Sequence, residues 1–273
     1  MNRYKYIDEN KEHMHTLDGK PLFGTSSVTK IIAKPLMWWA SGMAVKELGW
    51  TPIKNWIQGK PFSTPKEDRL KNAEEYLAEI AVMDTDEYLA LLDRAYKAHD
   101  EKKKDAAVGG TDRHALLETW VKYCITENNG VPVKHLVPTS IESFVDWSLI
   151  NIKQFVWSEA NCYSEVLWTG GIADVGWIDN QDRLIAGDFK SSKEAYFDQF
   201  IQIAGYDIAL TENGGYDKDG NQKFILPKPI QGYCVIPFGA PTLTPNFQWD
   251  VAAYRKGYQA ALTLTKLQTT YNN

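Results

Sequence analysis

From Gly171 to Lys190 the chain reads GIADVGWIDNQDRLIAGDFK, two apolar segments separated by a polar stretch at Asp179 to Asp182, and this constrains the fold more than any other part of the sequence. Val, Ile, Trp and Phe at these spacings are strand formers, and a short polar turn between them predicts an antiparallel hairpin. Each strand carries a carboxylate within apolar surroundings, Asp174 in the first and Asp188 in the second. Side chains alternate across a strand, which puts Asp188 and Lys190 on one face and Phe189 on the other. Whether Asp174 joins them depends on the turn. Direct opposition of Asp174 and Asp188 needs an odd loop, such as Asn180 to Asp182, or a bulge, whereas an even loop sends the carboxylates to opposite faces. The odd register is expected, because two acids on one face build an oxygen-rich pocket for a hard divalent cation.

The Asp-x-Lys spacing is uninformative by itself, since Glu9, Asp18, Asp100 and Glu101 also precede a lysine by two residues, all in polar stretches. Only at Asp188 does the pair lie in an apolar strand, after a second carboxylate and immediately before an amphipathic helix. On strand context alone it also fits a salt bridge closing a strand end. The helix expected over Glu194 to Leu210 shows an apolar face of Phe197, Phe200, Ile201, Ala204 and Ile208. Gln202 and Tyr206, one turn apart on a different face, could position a phosphate, a water or the lysine, or simply form a half-buried flank. Gly110-Thr111-Asp112-Arg113-His114 reads as a flexible turn and the capped start of a new helix, bearing an imidazole that either packs or ligates.

Elsewhere the pattern from Ser26 to about Asn129 is mostly helical, with Tyr76, Leu77, Ile80, Tyr88, Leu91 and Leu92 at helical spacing. Asp100 to Asp105 followed by AAVGGT reads as a frayed helix end and a glycine turn. Strand signals run from about Lys153 to Lys190 and return near Ile230 to Ile236, and a C-terminal helix is expected from about Trp249 to Leu267. This order predicts an α/β (α+β) fold with a central mixed sheet. The organisation expected is an N-terminal extension and helical region over 1–109, packed on a core over 110–273.

With 44% hydrophobic and 12% aromatic residues among 273, the chain has enough apolar matter for one substantial core. The 30 Lys and Arg against 35 Asp and Glu leave a formal charge of -5, so a nucleic-acid contact has to use a local basic groove. Clustered carboxylates that hold cations are compatible with that balance. Cys124, Cys162 and Cys234 lie far apart, which argues against a disulfide framework or a zinc or iron–sulfur cage and for reduced thiols in a cytosolic protein. The polar start MNRYKYIDENKEHMH lacks a signal-peptide core, and no apolar run approaches the roughly 18 residues that cross a bilayer, so a cytoplasmic location is expected.

The ordered set GTDRH, SEANCYSEVLWTGGIADVGWID, GDFKSSK and QIAGY resembles the motif series of PD-(D/E)XK nucleases of the RecB-like and phage recombination exonuclease branch. That series has a helix-borne His, a Glu, an Asp, an Asp/Glu-x-Lys and a Gln-x-x-x-Tyr. It spans Gly110 to Tyr206, roughly a third of the chain. The opening SSVTKIIAKPLMWWASGMA is similar to segments of phage-encoded members. The resemblance implies a restriction-endonuclease-like central mixed sheet flanked by helices. It further implies metal binding by His114, Asp174, Asp188 and the Phe189 backbone carbonyl, with Glu159 as a further ligand and Glu165 as the neighbouring alternative. The four-cysteine iron–sulfur cage of CRISPR-associated relatives is absent.

The activity implied is magnesium-dependent hydrolysis of DNA, with manganese able to substitute. Lys190 would orient and stabilise the nucleophile, and Gln202 and Tyr206 would hold water or the scissile phosphate in line. DNA contacts are expected from Arg113 and Lys193, from the run Lys102 to Lys104, which also fits a solvated surface, and from Trp38 and Trp39, which could stack on unpaired bases or pack in the core. Partners implied are linear duplex or single-stranded ends, a single-strand annealing protein and further copies of the chain. Two other readings keep the same residues: a structure-specific endonuclease or resolvase, and a non-catalytic DNA-binding module.

Overall fold

The computed structural model describes residues 2–9, 12–32, 37–51, 54–57 and 60–272, and within these it leaves aside the side chains of residues 9, 12, 37–39, 54–57, 60–62, 102–112 and 272. In chain order the elements are β1 (Tyr4–Glu9), β2 (Glu12–Leu17), β3 (Lys20–Pro21), β4 (Phe23–Gly24), α1 (Thr25–Thr29), α2 (Met37–Glu47), β5 (Lys54–Ile57), β6 (Lys60–Ser63), α3 (Lys66–Ala81) and α4 (Thr85–Glu127). After a short 3-10 turn come α5 (Glu142–Asn151), β7 (Ile152–Ser164), β8 (Thr169–Asp179), β9 (Leu184–Lys190), α6 (Phe197–Asn213), β10 (Gly215–Tyr216), β11 (Gln222–Phe224), β12 (Ile230–Pro237), β13 (Asn246–Gln248) and α7 (Val251–Asn272). No described helix is long and apolar enough to cross a membrane.

Residues 1–33 and 109–273 form one unit, and residues 34–108 another. The first 33 residues therefore group with the sheet, whereas the sequence pattern joins them to the N-terminal helices. Their anchor is local: Tyr4 and Leu17 are buried beside Tyr163, and β4 pairs in parallel with β8 through Phe23 and Thr169.

The larger unit is built on a mixed sheet of order β11-β10-β7-β8-β9-β12-β13. Strands β7, β8 and β9 run antiparallel in succession, and α6 then carries the chain across to β12, which pairs with β9 in parallel. Burial on both faces explains why LIAGDFK and YCVIP read as nearly continuous apolar runs. One face packs on α6 and α7 through Trp157, Leu184, Ala186, Ile201, Tyr233 and Tyr258. The opposite face packs on the last turns of α4 and on α5 through Leu117, Trp120, Phe144, Val175, Trp177 and Phe189. Gly176 and Gly187 make room for the two sheet tryptophans, since a Cβ at either would lie 2.2 Å from the Trp157 ring or 2.4 Å from that of Trp177.

Two expectations are corrected here. The turn expected at AAVGGT and the new helix start at Thr111 or Asp112 are replaced by one continuous helix, α4. Two glycines cost about 1 kcal/mol each in a helix interior, and the Lys and Ala residues before them are good helix formers, so the helix propagates through. Phe197, expected on the apolar face of α6, is instead its first residue and 62% exposed; the buried stripe is carried by Phe200, Ile201, Ala204 and their neighbours. The smaller unit holds α2, the β5–β6 hairpin, α3 and the first part of α4; α3 has no buried residue, and Leu91, Ala95 and Ala98 are buried on α4.

Candidate metal centre

The β8–β9 turn decides the geometry. Asp179 accepts the amides of Gln181 and Arg183 on one carboxylate oxygen, Asp182 takes a left-handed φ of 61°, and the Asp179 amide bonds to the Arg183 carbonyl. The loop is thus Asn180 to Asp182, the odd case. Pairing from Ile178↔Leu184 to Val175↔Gly187 follows, and the same register sets Asp174 opposite Asp188.

Asp174 is the hub. Its Oδ2 accepts the Phe189 amide at 2.8 Å and lies 2.9 Å from His114 Nε2, on α4. The other ring nitrogen, Nδ1, is 3.7 Å from Glu159 Oε1. Glu159 stands opposite Asp174 in register, between the pairs Ser158↔Val175 and Ala160↔Ala173. It holds φ at 48°, a left-handed conformation that a non-glycine residue in a strand adopts only against a steric cost. One potential ligand atom from each of His114, Glu159 and Asp174 falls within 4.8 Å of the others.

Asp188 is not one of these three. Its carboxylate, 1% exposed, meets the Lys190 ammonium at 2.6 Å, and neither oxygen accepts a hydrogen bond of acceptable geometry. Lys190 also donates to Gln202 Oε1 at 3.3 Å, and Gln202 Nε2 donates to the Tyr206 hydroxyl at 2.6 Å. The one-turn spacing on α6 therefore forms a relay that ends on the lysine.

Burial and mutual repulsion dominate the electrostatics. Desolvation pushes Asp188 up to about 7, with Asp174 adding and Lys190 opposing. Burial, then the charge of Asp174, pushes Glu159 up to about 8. For His114, burial favours the neutral ring, but the Asp174 hydrogen bond and the surrounding carboxylates prevail and lift it to about 9. Burial opposes the charge on Asp174 as well, and its hydrogen bond to His114 nevertheless holds it below the ordinary carboxylate range. Burial, followed by the charges of Asp188 and Asp174, keeps Tyr206 protonated far above its ordinary range.

The remaining expected residues divide. Phe189 reaches the cluster through its amide, whereas the resemblance points to its carbonyl; its ring lies on the opposite face against Phe144, Phe238 and the edge of His114. Glu165 is on the surface, paired to Arg3. Arg113 donates to the Phe238 carbonyl at 2.6 Å with its guanidinium over that ring, so it ties α4 to the segment after β12. Lys193 is exposed. The side chains of Trp38, Trp39 and Lys102 to Lys104 lie outside the described residues. Cys124, Cys162 and Cys234 are buried free thiols. Sequence reasoning missed Tyr6, whose ring lies 4.8 Å from that of His15 and whose hydroxyl is 3.1 Å from His13 Nδ1. The alternation of Tyr4, Tyr6 and Asp8 with His13, His15 and Leu17 about a polar turn was the available signal. No protein-family model matches the chain, and no curated protein matches it.

Proposed function

We propose that this chain is a magnesium-dependent deoxyribonuclease with a restriction-endonuclease-like core, of the RecB-like and phage recombination exonuclease type. The observation that carries the reading is the convergence on adjoining strands of Asp174, Glu159 and the Asp188-x-Lys190 pair, with His114 brought in from α4. The donor set fits a small divalent cation. It consists of hard carboxylate oxygens and one imidazole, and beside it stands a buried carboxylate with no well-formed hydrogen bond, whose desolvation a cation would relieve.

His114, Glu159 and Asp174 would hold the ion, with Asp188 adjoining. When bound, it supplies positive charge against the phosphoryl and leaving oxygens and makes water a stronger acid. The protein's own contribution is positioning and charge. Lys190 presents an ammonium whose protonation Asp188 and Asp174 secure against burial, ready to stabilise negative charge on an attacking oxygen or a phosphate. Gln202 fixes that ammonium and is fixed in turn by the uncharged Tyr206 hydroxyl, so two α6 residues orient the lysine without exchanging protons. Processing of DNA ends for recombination, beside a single-strand annealing protein, is the setting the motif series points to.

The test is digestion of linear duplex DNA with magnesium, with manganese and with chelator, repeated on Asp188→Ala and Lys190→Ala. Cleavage is expected with either metal and to be absent with chelator, and both variants are expected to fold and lose almost all activity. An Asp188→Ala protein that digests DNA as fast as the parent removes the assignment. End-labelled linear DNA against closed circular DNA separates exonuclease from endonuclease.

A further inference from the structure

We infer that the N-terminal hairpin carries a nucleobase-stacking shelf, with Tyr6 as its outward ring, beside the carboxylate cluster; this rests on the nuclease reading above. The β1–β2 register puts Tyr4, Tyr6 and Asp8 on the same face as Leu17, His15 and His13. The inner end of that face is structural. Tyr4 is 1% exposed, stacks on Tyr163 at 4.8 Å with planes 14° apart, and shares a 2.7 Å hydrogen bond with His15 Nδ1.

The next position is different. Tyr6 is only half-buried, yet it is held at two points: its ring lies 4.8 Å from that of His15 at 31°, and its hydroxyl is 3.1 Å from His13 Nδ1. Burial lowers His15 to about 4, so this neighbour is a neutral aromatic ring rather than a charge. His13 is exposed, and its Nδ1 lies 2.9 Å from Asp8 Oδ1. A tyrosine pinned in place but left half open is what a stacking platform needs, because little side-chain entropy remains to be lost on binding.

Its position relates the shelf to the chemistry. Tyr4 sits on Tyr163, and Glu159 lies four residues back along β7, while Tyr6 is two residues further along β1. Burial, then the charges of Asp8 and Glu159, raises the Tyr6 phenol above its ordinary range. Glu118 and Lys122, one and two turns beyond His114 on α4, also act on Glu159, and the Lys122 side chain is 52% exposed. A strand whose phosphate reaches the cluster thus meets an aromatic ring from the hairpin and, on α4, the Lys122 ammonium paired with Glu118. Stacking of this kind tolerates any base.

The experiment measures binding of a fluorescein-labelled single-stranded oligothymidylate by anisotropy, on a Lys190→Ala background so that the DNA is not consumed. Tyr6→Ala is expected to weaken binding by about tenfold or more, the loss of one base stack, and Tyr6→Phe to recover it. Tyr6→Leu, which retains apolar packing, is expected to bind as weakly as Tyr6→Ala and serves if the alanine variant does not fold. Manganese affinity, read by calorimetry, is expected to be the same in all four proteins. Unchanged DNA binding in Tyr6→Ala or Tyr6→Leu overturns the shelf, as does a Tyr6→Phe protein as weak as they are. Loss of manganese binding along with DNA binding makes Tyr6 a prop for the cluster and also overturns it. A background protein that binds no oligonucleotide, together with a parent that cleaves no DNA, overturns the nuclease reading itself.

Discussion

Replacing Asp188 by asparagine should stabilise the metal-free protein at alkaline pH, although it removes a charge from an ion pair. The carboxylate is 1% exposed and is pushed from the ordinary 3.8 to about 7, chiefly by desolvation, even with Lys190 at 2.6 Å. At ~1.4 kcal/mol for each tenfold change in the ionisation equilibrium, the charged form costs the fold roughly 4 kcal/mol. The sign follows from proton counting. Between about pH 4 and 7 the folded state binds the proton more tightly than the unfolded chain, so stability falls as pH rises through that window and stays low above it. The substituted amide is neutral at every pH and escapes the loss. In chelator at pH 8, Asp188→Asn should therefore melt roughly 10 °C above the parent, and the difference should vanish near pH 4. Excess magnesium or manganese should reverse the order, because an ion that binds only the folded state stabilises the parent in proportion to its affinity. Thermal melts of both proteins at the two pH values, with chelator and with metal, check the whole argument. A variant that is less stable than the parent at pH 8 in chelator refutes it, since Lys190 would then compensate the buried charge fully.

Three further outcomes are expected. Asp188 at about 7, Glu159 at about 8 and His114 at about 9 all shed protons to accept a cation, so manganese affinity should rise more than tenfold from pH 6 to 9 with protons released, and calorimetry in buffers of different ionisation enthalpy reads both. Glu159→Gly removes both the left-handed backbone cost and a desolvated carboxyl, so urea denaturation in chelator should show a gain of about 1 kcal/mol while manganese affinity falls. Asp207→Asn should cost about 3 kcal/mol in the same denaturation assay and leave manganese affinity unchanged, because Asp207 is fully buried and accepts from Tyr233 at 2.5 Å and from Arg255 at 2.6 Å on both oxygens.

What could be read from the sequence was what a local rule determines. The odd loop at Asn180 to Asp182 follows from strand alternation once both carboxylates are required on one side, and the structure has that register. Gln202 and Tyr206 meet because four residues make one helical turn, and Lys190 reaches them because it shares a face with Asp188. Strand and helix order in the core, and its mixed sheet, came from the same periodicities. Where several local preferences compete, the pattern misled: in α4 a glycine pair that ordinarily marks a turn is outweighed by helix formers on both sides.

The harder part was which acid stands in the cluster. Glu159 and Glu165 are separated by an even number of residues, so a regular strand would send both to the same face, and alternation cannot choose between them. The structure separates them by a backbone angle. The left-handed turn at Glu159 aims its carboxylate at His114, while Glu165, beyond the strand end, pairs with Arg3. Nothing in the residue type announces a positive φ at a glutamate, which ordinarily avoids it. Such a conformation persists only if the surrounding pairs hold it, and Ser158↔Val175 and Ala160↔Ala173 do so on either side. The same kind of context placed Asp188 beside the group of three instead of inside it. Its neighbour Lys190 pairs with the carboxylate at 2.6 Å, and the ion pair leaves the desolvation cost largely standing. A site that keeps one acid under that cost and another in a strained backbone gives up stability that protonation of Asp188 returns in part and that a bound cation would return in the same way, and that imbalance is why the metal-dependence of folding, more than any motif, is the property to measure first.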